Sequence, residues 1–184
     1  MGQELTGKKI AILAEDLYED TELWYPYYRL LEAGAEVKIV GSGRAESFKS
    51  KHDLPVVPDL SIDRTSAAEF DAVVIPGGYS PDLMRRKPAM VEFVREMDKA
   101  GKPVAAICHA GWMLISAGIV KGRRATSFFS IKDDMVAAGA RYEDEAVVVD
   151  GNLITSRRPA DLPKFVPAII EALARTRSRS GAAV

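Results

Sequence analysis

The sequence holds a single cysteine and only two histidines among its 184 residues. One cysteine excludes a disulfide within the chain and is usual in a reducing compartment. The histidines, His52 and His109, lie far apart, which gives poor ligand spacing for a metal site even with the cysteine added. We therefore predict no metal, and any thiol chemistry has Cys108 as its one candidate.

Long apolar runs and a strong net charge are also missing. No run approaches the ~20 residues of a membrane span, and the opening residues, MGQELTGKK, lack the apolar segment of a secretory signal. A formal net charge of −1 gives no bulk attraction to nucleic acid or to anionic lipid. We expect a cytoplasmic protein that requires neither a membrane nor nucleic acid.

What is present favours one α/β domain, since the chain is 47% hydrophobic and of single-domain length. Short apolar runs that indicate buried strands alternate with helical patterns, which is typical of a mainly parallel sheet covered on both faces. We predict a single domain over residues 1–184, ordered over about 8–175 and ending in a disordered tail over 176–184. The expected strands are 10–14, 37–40, 71–75 and 103–107; the expected later helices are 89–100, 110–117, 131–138 and 163–175.

Three loops follow predicted strands and should lie at one edge of the sheet. They cover residues 15–20, 76–82 and 108–111. In sheets of this kind, sites form just beyond the carboxyl ends of the strands. A candidate site is therefore expected where these loops meet.

Cys108 stands at the junction of a buried strand and a helix. A lone cysteine is more often a small buried hydrophobe, but here small residues flank it, Ala106 and Ala110 two positions away and then Gly111. Small neighbours permit the sharp strand-to-helix turn of a nucleophile elbow. The free N–H groups at the start of the helix would favour the thiolate and could hold a developing oxyanion.

His109 and the glycine pair Gly77-Gly78 each have two interpretations. His109 is either a general acid or base or a polar residue at an interface, and it need not touch the sulfur because adjacent residues diverge on an elbow. Gly77 and Gly78 either let a backbone N–H approach a substrate closely or form only a tight turn. They do not form a phosphate loop, because the further glycines and the lysine are absent, and we predict no cofactor.

The loop after the first strand supplies four candidate carboxylates, Glu15, Asp16, Glu19 and Asp20. If Glu19 lies near the sulfur, carboxylate and thiolate cannot cheaply both be charged, so one proton is shared and the carboxyl pKa rises. A protonated Glu19 could donate a hydrogen bond to the thiolate and later a proton to substrate. The residues alone do not choose among the four.

The motifs, taken in order, resemble those of the ThiJ/PfpI superfamily. Residues 106–110 resemble its alanine-isoleucine-cysteine-histidine-glycine segment, and residues 19–26 resemble the start of its first helix. Together the matches cover about residues 8–173 and are specific for the PfpI-like intracellular protease and deglycase branch. The other matching segments are 74–78, 130–134, 147–152 with 156–157, and 159–162.

The resemblance implies a flavodoxin-like three-layer sandwich, of the class I glutamine amidotransferase kind, and a homo-oligomer, either dimer or hexamer. It implies Cys108 as nucleophile with Glu19 as its carboxylate partner. It implies His109 as a further catalytic residue, paired with an acidic residue of a neighbouring subunit at the position of Asp82. Gly77, Gly78 and Ala110 are the expected oxyanion and substrate-binding residues.

Some residues depart from the pattern of the branch. Asp82 replaces a glutamate, and because its side chain is one methylene shorter we expect the contact with a neighbouring subunit to be lost or mediated by water. Gly111 and Trp112 replace a proline and a glutamine, and Phe128 stands where relatives carry a tyrosine, without its hydroxyl. These changes bear on substrate preference more than on the nucleophile.

The resemblance implies two enzyme functions, and the chemistry of the cysteine adds a third function of a different class. We favour a stress-related enzyme that acts on glyoxal-type aldehydes or on their protein adducts, a glyoxalase or deglycase, because a thiolate attacks such aldehydes readily. A peptidase acting on peptide substrates is the second interpretation, although it must also protonate a poor leaving group. A redox sensor or chaperone-like stress protein is the third, since an exposed cysteine of low pKa oxidises readily.

Overall fold

The computed structural model describes residues 3–180 and, for side chains, residues 3–175. Short 3-10 turns include Cys108–Ala110, Phe129–Ile131 and Pro159–Asp161. The helices and strands are β1 (Lys9–Ala14), α1 (Asp20–Glu32), β2 (Glu36–Gly41), β3 (Phe48–Lys49), β4 (Pro55–Val56), β5 (Leu60–Ser61), β6 (Ala72–Ile75), α2 (Ser80–Met84), α3 (Pro88–Lys99), β7 (Val104–Ile107), α4 (Gly111–Ala117), β8 (Arg124–Ala125), α5 (Lys132–Ala137), β9 (Arg141–Tyr142), β10 (Val147–Asp150), β11 (Leu153–Ser156) and α6 (Leu162–Ser180).

Seven strands form the central sheet, in the order β10-β11-β7-β6-β1-β2-β5. Neighbours in it are parallel except β10 and β11, which form a hairpin with Gly151 in its turn. The predicted mainly parallel α/β fold is confirmed. The chain runs outward from β1 in one direction through β2 and β5, and from β6 in the other through β7 and β11. The order therefore reverses between β1 and β6, where ligands bind in such sheets.

Each face of the sheet is covered by helices, because successive residues of a strand point to opposite sides. In β1, Ile10 and Ile12 pack in the cluster that contains Phe165 of α6, whereas Leu13 packs in the cluster that contains Phe93 of α3. All of these strand residues are fully buried. A continuous apolar strand is thus explained by a layer of helices on both sides.

Helix α1 carries a carboxyl group on its buried face. Glu22, Leu23, Pro26 and Leu30 are its buried residues, and the four-residue steps from Glu22 through Pro26 to Leu30 keep one face toward the sheet. Acidic residues in the first turn, Asp20 and Glu22, suit the positive end of the helix dipole. The helix therefore presents Glu22 to the carboxyl end of the sheet.

Three local expectations need correction. The sequence did not predict the short helix α2 or the edge strand β5. Helix α6 continues to Ser180, beyond its predicted end at residue 175, and the disordered tail predicted over 176–184 stays a prediction. Alanine and arginine are strong helix formers, which explains the continuation, and residues 181–184 lie outside the described part. Within that part, no helix is long and apolar enough to cross a bilayer.

The core packing gives a direct test of stability. Phe165 is fully buried, whereas Phe129 is 75% exposed. We expect Phe165→Ala to lower the free energy of unfolding by about 3–5 kcal/mol, through lost transfer energy and an unfilled cavity. The same change at Phe129 should cost about 0.5 kcal/mol or less. Urea unfolding followed by circular dichroism measures both, and equal losses would contradict this assignment of the core.

Candidate active site

Cys108 adopts the strained turn expected of a nucleophile elbow. Its φ is +63°, a left-handed value that is uncommon for any residue other than glycine. Such strain costs about 1–3 kcal/mol and clusters at functional sites. The residue is 8% exposed and links β7 to the turn that precedes α4. The sharp strand-to-helix turn predicted from the small neighbouring residues is confirmed.

Gly77, at the end of β6, allows the elbow and α1 to approach each other. A Cβ at this position would lie 2.6 Å from Cys108 Cβ and 2.6 Å from Glu22 Oε2. The nucleophile and the carboxyl group of Glu22 therefore flank one small space that a larger residue would fill. The backbone N–H of Gly77 donates to Glu22 Oε2 at 2.8 Å, which fixes the carboxyl group in place.

Glu22 is the carboxyl group that interacts with the thiol. Burial, supported by the nearby charge of Glu19, raises the pKa of Glu22 to about 8, against the opposing hydrogen bond from Gly77. Its Oε1 is buried and makes no hydrogen bond within residues 3–175. Burial and then the charge of Glu22 raise the pKa of the Cys108 thiol to about 12. Below pH 8 the carboxyl is therefore protonated and able to donate a proton beside the sulfur.

The structure corrects the assignment of Glu19 as that partner. Its carboxylate forms an ion pair with Lys51 and accepts a hydrogen bond from the Thr21 hydroxyl at 3.3 Å. Glu19 precedes the first turn of α1 and is directed to the hairpin loop between β3 and β4. Glu22, one turn further along, is directed to the sheet. Glu19 thus affects the thiol indirectly, because its charge raises the pKa of Glu22.

The other three carboxylates of the loop are held elsewhere. Glu15 and Asp16 both accept from Arg44. Asp20 accepts from the Ser50 hydroxyl at 2.7 Å and lies 2.6 Å from Nδ1 of His52. These groups tie the loop after β1 to neighbouring loops and do not reach the nucleophile.

His109 contacts the sulfur of the preceding residue, which the sequence had left open. Its Nδ1 lies 3.2 Å from Cys108 Sγ, and its Nε2 lies 3.1 Å from Ser130 Oγ. Burial, and then the positive charge of Lys51, lower the pKa of His109. The imidazole is therefore neutral near pH 7, as a general base must be before it accepts a proton.

Two backbone N–H groups are directed at the sulfur, those of Gly78 and His109, and both act to lower the pKa of the thiol. Gly78 has a φ of +73°, and a Cβ there would lie 2.3 Å from the carbonyl oxygen of Leu17. Of the predicted oxyanion residues, Gly78 is thus placed at the sulfur. Gly77 instead holds Glu22, and Ala110 is fully buried in the core beneath the elbow.

Asp82 lies on α2 and forms an ion pair with Arg86 of the same chain. Its predicted contact with His109 of a neighbouring subunit stays a prediction. Across residues 3–175, no group of three or more His, Cys, Asp or Glu side chains is arranged to hold a metal ion.

Sequence reasoning missed three residues of the site: Glu22, Lys51 and Ser130. A signal for Glu22 was present, since its spacing from Pro26 and Leu30 places a carboxyl group on an otherwise apolar helix face. Lys51 and Ser130 belong to loops between distant elements, and no periodicity marks them.

Comparison with known proteins places this geometry in a family context. The sequence profile of the DJ-1/PfpI family matches residues 8–172. Deglycase PfpI of Pyrococcus furiosus is 45% identical over 165 residues, which are 90% of this chain and 99% of that protein. The putative cysteine protease YraA of Bacillus subtilis is 41% identical over 159 residues, 86% of this chain and 94% of that one. The crystal structure of Drosophila melanogaster DJ-1beta superposes with a TM-score of 0.85 at 32% identity, covering 91% of this chain and 90% of that one.

The coupling of thiol and carboxyl can be tested by alkylation. We expect the rate of Cys108 alkylation by iodoacetamide to depend on an ionisation near pH 8 in the wild type, from Glu22. In Glu22→Gln this ionisation disappears, and the thiol ionises at lower pH than in the wild type because no carboxylate opposes it. In the matched control, Glu19→Gln, the alkylation rate should still depend on two ionisations, that of Glu22 and that of the thiol. Loss of the ionisation near pH 8 in Glu19→Gln alone would restore Glu19 as the partner.

The same group makes stability depend on pH. A carboxyl whose folded pKa lies above its unfolded value stabilises the fold fully below the unfolded value, and the stabilisation is lost as pH rises through the folded one. For Glu22 this window runs from the ordinary 4.5 to about 8. We therefore expect Glu22→Gln to gain stability relative to the wild type across the window, measured by urea unfolding. Glu32→Gln, at an exposed position of α1, should show no such trend, and a flat difference for Glu22→Gln would contradict the raised pKa.

Proposed function

Because the chain belongs to the DJ-1/PfpI family, we propose that it is a deglycase and glyoxalase that acts on glyoxal-type aldehydes or on their protein adducts. It is a cysteine-nucleophile enzyme of the hydrolase or lyase type, as the names of its relatives indicate. The proposal of aldehyde substrates rests on one observation: the protonated carboxyl of Glu22 is fixed beside a buried thiol. This pair supplies a nucleophile and a proton donor at one carbon atom.

The first step is addition of the sulfur to the aldehyde. The Cys108 proton passes to His109 Nδ1 as Sγ bonds to the aldehyde carbon, and the carbonyl electron pair becomes an oxyanion. The N–H groups of Gly78 and His109, which point at the sulfur in the resting site, are positioned to stabilise this charge. Glu22 then donates its proton to the oxyanion, which gives a neutral hemithioacetal.

The second step is an internal proton transfer. As a carboxylate, Glu22 removes the hydrogen from the former aldehyde carbon, and the electron pair of that C–H bond forms an enediol while protonated His109 gives its proton to the oxygen of the adjacent carbonyl. Glu22 then returns the hydrogen to that adjacent carbon, and His109 takes the hydroxyl proton of the former aldehyde carbon as its carbonyl forms again. The product is a thioester, and one water molecule hydrolyses it to a 2-hydroxy acid and the free thiol. For methylglyoxal the balance is methylglyoxal plus water to lactate, with no external oxidant or reductant.

In protein adducts, the bond between the aldehyde carbon and the modified residue must also break. In a glyoxal adduct the aldehyde carbon already carries an amine or thiol of the modified residue. Attack by Cys108 expels that group, and Glu22 or protonated His109 supplies the leaving group with a proton. From the resulting hemithioacetal onward, the steps are those of the free aldehyde.

A peptidase remains the second candidate, and the contact between His109 Nδ1 and Cys108 Sγ at 3.2 Å favours it. One relative is named as a putative cysteine protease. Against it, Asp82 is engaged by Arg86 within its own chain, so a carboxylate partner for His109 requires a second subunit. A redox-sensing role predicts peroxide-dependent change at Cys108 without turnover.

The deciding experiment follows methylglyoxal loss and lactate formation in metal-free buffer. We expect the wild type to form lactate, Cys108→Ser to form none, and Glu22→Gln to lose about 10²- to 10⁴-fold in kcat, the usual worth of general acid–base catalysis. Glu32→Gln controls for the loss of a carboxylate from the same helix.

A folded wild type whose thiol alkylates normally but which forms no lactate would overturn the glyoxalase proposal. Release of methylglyoxal-modified arginine from a peptide, measured by mass spectrometry, separates deglycase from glyoxalase. Cleavage of casein that is lost in Cys108→Ser would instead assign a peptidase.

A further inference from the structure

We propose that Ser130 is the residue that orients His109, so that the series from thiol to imidazole to hydroxyl is complete within one chain. The two hydrogen-bond distances that carry it are 3.2 Å, from Cys108 Sγ to His109 Nδ1, and 3.1 Å, from His109 Nε2 to Ser130 Oγ. The inference rests on the proposed function only in taking His109 as the base. It differs from the expectation of an acidic partner on a neighbouring subunit.

The backbone ties Ser130 to the elbow itself. The N–H of Phe128 donates to the carbonyl oxygen of Cys108 at 3.2 Å, and the N–H of Ile131 closes the next turn onto Phe128 at 3.2 Å. Ser130 lies within that turn. The hydroxyl is therefore held at a fixed distance from the nucleophile, although residues 109–129 separate it from Cys108 along the chain.

The aromatic neighbours of the imidazole ring set its plane. Its centroid lies 5.0 Å from that of Phe128 and 5.2 Å from that of Trp112. Trp112 is held in turn, because its Nε1 donates to Asp134 at 2.8 Å. The aromatic contacts set the plane of the ring, but they do not determine which nitrogen carries the proton. That choice is left to the hydrogen bond at Nε2.

A serine at Nε2 suits the base form of the imidazole. When Nδ1 is free to accept the thiol proton, Nε2 carries the hydrogen and donates it to Ser130 Oγ. After proton transfer, Nε2 still donates to the same oxygen, so this hydrogen bond persists through the step. Ser130 is exposed, and its own hydroxyl hydrogen is free to bond to water.

A hydroxyl also differs from a carboxylate in charge. A carboxylate at Nε2 would raise the pKa of His109 by stabilising the imidazolium. Instead, burial and Lys51 lower it, and a neutral hydroxyl leaves that direction unchanged. Ser130 thus fixes which nitrogen carries the proton, and the imidazole ring stays neutral. Asp82, which pairs with Arg86 in the same chain, is not needed for either effect.

The test reads the tautomer directly by nitrogen-15 NMR of the imidazole in the intact protein. The chain has only two histidines, so His52→Gln assigns the His109 signals. In the wild type we expect Nε2 protonated and Nδ1 unprotonated. In Ser130→Ala we expect a mixture of tautomers, with kcat for lactate formation about three- to tenfold lower and KM unchanged, the worth of one neutral hydrogen bond.

Two variants at the same position separate orientation from packing. Ser130→Thr keeps the hydroxyl and should restore the wild-type tautomer and rate. Ser130→Asp should raise the pKa of His109, seen as a shift of its NMR titration to higher pH. Ser47→Ala, at an exposed serine before β3, is the mutational control and should change neither readout.

The proposal is overturned if Ser130→Ala keeps a single Nε2-protonated tautomer, or if Asp82→Asn produces the tautomer mixture instead. The NMR readout does not depend on turnover. If the wild type forms no lactate yet shows the expected tautomers, the proposed function fails and the orienting role stands. If it forms lactate while Ser130→Ala leaves the tautomer intact, the reverse holds.

Discussion

The arrangement of the site depends on one constraint: a buried carboxyl and a buried thiol cannot both be ionised at low cost. Burial raises the pKa of Glu22 to about 8 and that of Cys108 to about 12. Three backbone N–H groups interact with these two side chains. The N–H of Gly77 donates to the carboxyl, while those of Gly78 and His109 point at the sulfur. Above pH 8, where the pair carries one negative charge, moving that charge from one group to the other therefore requires no rearrangement of the backbone.

A second carboxylate, that of Glu19, and the ammonium group of Lys51 act electrostatically on this pair. The charge of Glu19 raises the pKa of Glu22, and the ammonium of Lys51 lowers it. Glu19 and Lys51 form an ion pair with each other, so two opposite charges act on Glu22 from one place, and the effect of Glu19 is the larger. Lys51 comes from the hairpin loop between β3 and β4, which is remote in sequence from both α1 and the elbow. The loop therefore brings a cation to the rim of the site, where it adds to the effect of burial in lowering the pKa of His109.

The layered sheet, the elbow at Cys108 and the glycine turn after β6 could be predicted from the sequence, because each has a local signature: an apolar run, small flanking residues, a Gly-Gly pair. The residues alone left four loop carboxylates open and the resemblance implied Glu19, but Glu19 lies just before the first turn of α1 and pairs with Lys51. The four-residue spacing to Pro26 did mark Glu22 as buried. Ser130 could not be found this way, since its contact with His109 depends on how a distant loop returns to the elbow. Helix α6 extends beyond its predicted end, in agreement with the high helix propensity of its alanine and arginine residues.

The burial of the nucleophile also bears on the choice between substrates. Cys108 is only 8% exposed, so little of its sulfur surface is open to solvent. A terminal aldehyde carbon is small enough to approach such an atom, whereas a peptide carbonyl is flanked on both sides by chain that must be accommodated. Around the elbow stand Tyr79 and Phe129, which are 47% and 75% exposed. The ring of Phe129 offers no hydrogen bond to an extended backbone, although peptide recognition commonly uses such bonds. Access and rim chemistry thus favour an aldehyde, free or at the end of a modified side chain, over a bond within a polypeptide.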